Sequence, residues 1–166
     1  GDDITAYLPT SIMSITDGQI IFDLATFRRN IRPAVKTGLS VSRVGGRAQT
    51  TSQKRLSTAL MQRLAAYQQA QEFAHFGSDM SAESKQTLEL GKQIYEALRQ
   101  TPTERLSIVE QEIMLRAIVL GDGKRSLNVM QLKQQAHVVA ETVQNEADIE
   151  RLSQEVLEQS VVEAAT

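Results

Sequence analysis

Cysteine and tryptophan are absent from this 166-residue sequence, and only seven residues are aromatic, three Tyr and four Phe. Without cysteine there is no disulfide, no thiolate metal site and no cysteine nucleophile. The two histidines, His75 and His137, stand too far apart to suggest a zinc motif. So few aromatics leave little for base stacking, the usual route to single-stranded nucleic acids, and no nucleic-acid partner is expected. No apolar run is long enough to cross a bilayer as a helix, so any membrane role is expected to come through partners. The first residue is Gly1 rather than Met, which fits a piece excised from a longer chain.

Acidic charge is missing from one stretch in particular. Residues 24 to 71 hold nine Lys or Arg and no Asp or Glu, whereas residues 1 to 23 hold four acids and no base, and residues 72 to 166 hold nine bases and sixteen acids. A net charge of −2 therefore hides a strongly basic segment. Within it the run GLSVSRVGGRAQT, residues 38 to 50, sets Arg43 and Arg47 among glycines and small hydroxyl residues. Such backbone lets N–H groups approach phosphate oxygens, and guanidinium adds a rigid fork of donors, so the run suits an anionic ligand. A solvated basic face is the plainer alternative.

Residues 1 to 23 read as extended structure broken by turns. Ala6 to Leu8 is short and apolar, Pro9 interrupts it, Ser11 to Ile15 alternates, and Thr16-Asp17-Gly18-Gln19 reads as a tight turn before Ile20 to Phe22. Residues 24 to 50 read as irregular, with Arg32-Pro33 disfavouring helix. From residue 52 the period becomes helical. Leu56, Leu60, Leu64 and Tyr67 mark a first helix reaching about Phe76, with Gly77 as its stop. Leu90, Ile94 and Leu98 mark a second over about 81 to 100, with Ser78, Asp79 or Ser81 as candidate caps. Ser107 and Glu110 form a capping box for a third, whose Ile113, Met114, Ala117 and Leu120 predict a largely buried helix ended by Gly121 and Gly123. Val129, Leu132, Ala136, Val139 and Val143 mark a fourth, and Ile149, Leu152 and Val156 a fifth. Met61, Met114 and Met130 are expected to fill the core. His75 and His137 read as packing or surface polarity. The expected fold is mainly α, a bundle of about five helices preceded by a short β or irregular segment too small to cover its own strands.

Several ordered motifs carry a family resemblance. Ala6-Tyr7-Leu8-Pro9-Thr10, Ser14-Ile15-Thr16-Asp17-Gly18-Gln19-Ile20, Ile31-Arg32-Pro33-Ala34, Gly38-Leu39-Ser40-Val41-Ser42-Arg43-Val44-Gly45-Gly46 and Phe73-Ala74-His75-Phe76-Gly77-Ser78-Asp79 occur in the order found in the α subunit of F-type ATP synthases. The chain resembles that subunit over nearly its whole length. The resemblance implies that residues 1–51 are the closing part of a RecA-like α/β nucleotide-binding domain and residues 52–166 a C-terminal helical domain. It implies that Arg43 is an arginine finger reaching the γ-phosphate of ATP in a neighbouring β subunit, with Ser42 placing it and Ser14 and Gly18 beside the same phosphate site. Arg32, Pro33 and Gln100 would border the adenine of the α subunit's own nucleotide, although Pro102 stands where the family often has a second glutamine. Arg47 stands where the family usually has a small residue and reads as a surface arginine.

The implied ligands are ATP or ADP with Mg²⁺ in the assembled complex, with no metal ligands of the chain's own. The implied partners are β subunits and the γ subunit of the central stalk, which the loop 73–79 would face. The implied location is a peripheral complex on the cytoplasmic face of a bacterial membrane or its organelle equivalent. No phosphate-binding loop of the form Gly-x-x-x-x-Gly-Lys-Thr/Ser occurs here, so these residues alone are expected not to hydrolyse ATP. The alternative is a stand-alone helical adaptor that binds nucleic acid or another polyanion through residues 28–55.

Overall fold

The computed structural model describes residues 7–75 and 80–162, without the side chains of Leu8 and His75. The chain divides into two compact units, residues 1–54 and 55–166. The expected stop at Gly77, the caps at Ser78 and Asp79, and the His75 side chain lie outside the described residues.

The first unit opens with a helix where the sequence predicted extended chain. α1 runs Tyr7–Ile15. Pro9 is tolerated because it sits in the first turn, where a backbone N–H has no intrahelical acceptor to lose. Ser11 and Ser14 donate their hydroxyls back to the carbonyls of Tyr7 and Ser11 at 2.8 and 2.7 Å, which suits a helical path. The segment 24–50 is also more regular than expected. It holds α2 (Leu24–Arg28), β2 (Val41–Ser42) and α3 (Gly45–Ala48), with β1 (Gly18–Gln19) ahead of them. Asp23 caps α2 by accepting the Thr26 N–H and hydroxyl, each at 2.7 Å. Those hydrogen bonds, the hydroxyl foremost, hold its carboxyl below the usual carboxylate range, and Lys36 adds to the effect.

The second unit holds the expected five helices: α4 (Thr51–His75), which begins just before the division, then α5 (Ala82–Leu98), α6 (Ile108–Gly121), α7 (Val129–Ala140) and α8 (Glu146–Gln159). α6 is the centre, packed against α5, α7 and α8. Ile113, Met114, Ala117 and Ile118 are buried on it, while Leu120, expected inside, is 47% exposed. The Ser107–Glu110 capping box is present. At the other end two successive residues are left-handed, Asp122 at φ 49° and Gly123 at φ 69°. Gln86 Nε2 donates to the Asp122 carbonyl at 2.7 Å and to its carboxylate at 3.2 Å, which holds this turn in place.

Of the three methionines expected in the core only Met114 is there; Met61 and Met130 are exposed. Helical spacing fixes which side of a helix a residue occupies, but not whether a neighbour covers that side. Val143 falls beyond the end of α7. The C-terminal end is tied down by backbone, with Asn128 N–H donating to the Ser160 carbonyl and Val162 N–H to the Ser126 carbonyl, both at 2.9 Å.

α4 seats on α5 through a close approach. A Cβ at Gly91 would lie 2.1 Å from Cδ2 of Tyr67, so the tyrosine ring occupies the space a side chain would need. Tyr67 is buried, stacks at a tilt on Tyr95 with centroids 5.5 Å apart, and accepts a 2.8 Å hydrogen bond from Gln71. Replacing Gly91 by Ala should therefore lower stability by about 1–3 kcal/mol through overpacking, read as a lower urea midpoint. An unchanged midpoint would mean that the ring does not need this space.

Candidate functional site

The first unit is built around one antiparallel path. Phe22 bridges Val35, with Asp23 N–H donating to the Ala34 carbonyl at 2.9 Å and Lys36 N–H to the Ile21 carbonyl at 2.8 Å. The path then steps through a turn at residues 36–40 and resumes as β1 against β2, Gly18 facing Ser42 and Gln19 facing Val41. It ends on a 2.8 Å hydrogen bond from the Arg43 backbone N–H to the Asp17 carbonyl.

This arrangement corrects the reading of Asp17-Gly18 as a tight turn. Gly18 does not have positive φ and lies in a strand. Its lack of a side chain serves close approach instead, because a Cβ there would come 2.6 Å from the Val41 carbonyl oxygen and 3.1 Å from the Ser42 Cα. Glycine is what allows residues 17 and 43 to meet.

The structure thus brings Gly18, Ser42 and Arg43 together in one paired segment. Ser42 accepts the Gly45 N–H at 2.8 Å through its hydroxyl, which turns the chain into α3 directly after Arg43. Arg43 and Arg47 are exposed, and neither guanidinium makes an ion pair or hydrogen bond among the described residues. The Arg43 backbone is therefore anchored while its side chain is unengaged. Ser14 lies on exposed α1 surface with its hydroxyl committed to Ser11.

Arg32 is held differently. Its guanidinium carbon sits 3.6 Å over the Phe27 ring centroid, and Nη1 donates to the carbonyls of Phe27 and Ile31 at 2.7 and 3.0 Å. Pro33 follows it, joined by a cis peptide bond. Gln100 is half-buried beyond the end of α5, in the second unit, so the three residues of the expected adenine border are divided between the two units.

The basic segment is thus less bare than its composition suggested. Lys36 approaches Asp23 at 3.8 Å and Arg63 approaches Asp122 at 2.9 Å. Sequence reading missed this second pair because the partners stand 59 residues apart. It also missed the cap that starts α4. Thr50 and Gln53 exchange side-chain-to-backbone hydrogen bonds at 3.0 and 3.2 Å, and the Thr-x-x-Gln spacing was there to be read.

The described residues thus hold a five-helix unit and, ahead of it in the chain, a segment that presents an anchored arginine. A family model described as ATP synthase alpha/beta chain, C terminal domain, matches residues 49–165, and one described as ATP synthase alpha/beta family, nucleotide-binding domain, matches residues 1–42. The chain belongs to the ATP synthase alpha/beta chain family and carries its C-terminal domain. Among curated proteins it is similar to ATP synthase subunit alpha of Corynebacterium jeikeium (43% identical over 123 residues, 74% of this chain and 22% of that one). It is likewise similar to the alpha subunits of Helicobacter pylori strain Shi470 (42% over 137 residues, 81% and 27%) and Clostridium kluyveri (47% over 113 residues, 68% and 22%). The chain spans between 22% and 27% of the length of these relatives.

Gly18→Ala should disrupt the β1–β2 pairing and free the Arg43 backbone. Hydrogen exchange of the Arg43 amide is expected to lose protection in this variant, with the amides of α5–α8 unchanged. Retained protection at Arg43 would contradict the close-approach role of Gly18.

Proposed function

We propose that this chain serves as the part of an ATP synthase alpha subunit that supplies an arginine to a nucleotide bound on a neighbouring beta subunit. The observation that carries this reading is Arg43, whose backbone N–H is fixed on the Asp17 carbonyl at 2.8 Å while its guanidinium is exposed and unengaged among the described residues. A fixed backbone with a free, planar donor fork suits a group that must reach a phosphate outside its own unit. Preorganised positive charge at a transferring phosphoryl group lowers the barrier, because negative charge spreads over the phosphoryl oxygens in the transition state.

In this reading Ser42 sets the direction of Arg43 by capping the turn that follows it. Gly18 permits the close approach behind it, and Ser14 borders the same phosphate region from α1. Arg32, Pro33 and Gln100 border the adenine of the alpha subunit's own nucleotide. The domain junction falls at residues 51/52, and residues 1–51 close a larger RecA-like nucleotide-binding domain. Ten large apolar side chains exposed between Tyr7 and Val44 support this, since they need cover that the residues described here do not provide. Residues 73–79 face the gamma subunit of the central stalk, and association with the membrane comes through the assembled complex.

ATP supplies the phosphoryl group that is transferred. The residues of this chain fit its oxygens, offering the Arg43 guanidinium and the Ser42 hydroxyl. In this reading Mg²⁺ arrives with the nucleotide on the neighbouring subunit, as an ion held largely by phosphate oxygens and water. The family match, together with the engagement of Arg32 and Lys36 by partners of their own, favours this reading over a polyanion-binding adaptor.

The test places Arg43→Lys in the full-length alpha subunit of a reconstituted alpha–beta–gamma assembly. Lysine keeps the charge and loses the bidentate fork, so steady-state ATP hydrolysis should fall by orders of magnitude, up to roughly 10³- to 10⁵-fold. Nucleotide affinity at the beta sites should change far less, because the interaction strengthens as charge develops. Arg47→Ala should leave turnover nearly unchanged, which separates specific chemistry from loss of basic charge. Near-normal turnover with Arg43→Lys would remove the assignment.

A further inference from the structure

The second unit carries a charged group that the proposed role does not use. Glu110 is 7% exposed, at the third position of α6, and its two carboxylate oxygens go different ways. Oε2 accepts the Ser107 backbone N–H and completes the capping box. Oε1 pairs with Nδ1 of His137, in the last turn of α7. One carboxylate therefore ties the start of α6, and with it the connection leading in from α5, to the far end of α7. One turn earlier on α7, Lys133 grips the same connection by donating to the Arg99 carbonyl at 2.6 Å and to Glu104 at 2.8 Å.

We propose that Ser107, Glu110 and His137 form a pH-sensitive clasp that holds the α5–α6 connection against α7. The clasp is tight on the acid side of neutrality and loosens as the imidazole loses its charge.

The electrostatics follow from the geometry. The hydrogen bond to Glu110, then the charge of Glu110 and the weaker field of Glu141 at the end of α7, hold the His137 imidazolium above its ordinary 6.5, with burial opposing. The charges that bear on this ring among the described residues are those of Glu110 and Glu141. Glu104 in the connection is engaged with Lys133. Glu110 in turn is held below its ordinary 4.5, first by the bond to His137 and then by those from Ser107, again with burial opposing.

The two shifts set the window. The His137 contribution is complete below about 6.5, the value of an unfolded histidine, and is lost as pH rises through its raised value. The Glu110 contribution is complete above the ordinary carboxylate value and is lost as pH falls through its lowered one. The clasp is therefore strongest between these limits. Above them the neutral ring can keep Nδ1–H on the carboxylate, so the contact weakens without having to break.

Because His137 is 69% exposed, its removal leaves no cavity, and His137→Gln tests the clasp without disturbing the core. The full chain, with His75→Gln so that a single imidazole remains, is followed by NMR. The His137 ring should titrate above the ordinary histidine value and shift down in Glu110→Gln. In parallel, thermal midpoints of the native chain and His137→Gln are compared from about pH 5 to pH 8, the range in which histidine changes charge. The native advantage should be largest at the acid end and shrink towards pH 8. Should Glu110→Gln fail to fold, the His137→Gln comparison decides alone. A His137 midpoint that Glu110→Gln leaves unmoved, or a native advantage that is flat across the range, would overturn the proposal.

Discussion

The structure of the second unit depends on enclosing α6. Its buried residues include Ile113, Met114, Leu115, Ala117 and Ile118, which spread over more than half of the helix circumference, so a single neighbour cannot cover them. α5, α7 and α8 surround it, and each presents its apolar stripe inward as a result. Enclosure then makes the ends of α6 demanding, because buried backbone N–H and C=O groups that lose water need protein partners. Ser107 and Glu110 meet that need at the start of the helix. At its end, the Ile118 carbonyl accepts the Asp122 N–H. Polar groups near the core are thus tied to the closure of the central helix.

The first unit follows the opposite rule. Among its described residues Ala34 is the buried apolar one, and its order comes from backbone pairing and caps: Asp23 on α2, Ser42 ahead of α3, and the path from Asp17 to Arg43. Two strands of two residues each have little face to bury, and side chains such as Phe22 and Val41 lie open on them. What this local network does secure is the position of one backbone. Arg43 follows β2 directly, and its N–H has the last place in the pairing. That position falls between the two matched parts of the family, the nucleotide-binding part closing at residue 42 and the helical part opening at residue 49.

The five helices of the second unit were legible because helix formation leaves a periodic record in one stretch of chain. The stripes Leu90–Ile94, Ile113–Ala117, Leu132–Ala136 and Ile149–Leu152–Val156 all lie inside, and the Ser107-x-x-Glu110 cap stands where its spacing put it. The first unit was less legible for the same reason. Its α1 was read as extended chain because Pro9 was weighed as a breaker without knowing that it falls in a first turn. Gly18 was read as a turn residue because its partner across the sheet is 24 positions away. The motifs around Arg43 were distinctive enough to reveal the family, although the periodicity there revealed little about the fold.

Sequence alone determined the helical content of the second unit, the Ser107–Glu110 cap, the polarised charge and the family, because each is written in neighbouring residues. Tertiary structure decided which apolar faces are covered. It buried Met114 and left Met61 and Met130 in water, although all three sit among apolar neighbours. It also chose the partners of the charged groups, joining Arg63 to Asp122, Lys133 to Glu104 and Glu110 to His137 across gaps of 27 residues or more. Coulombic and hydrogen-bonding energy depends on distance in space, and distance along the chain does not fix it once the helices have folded against one another.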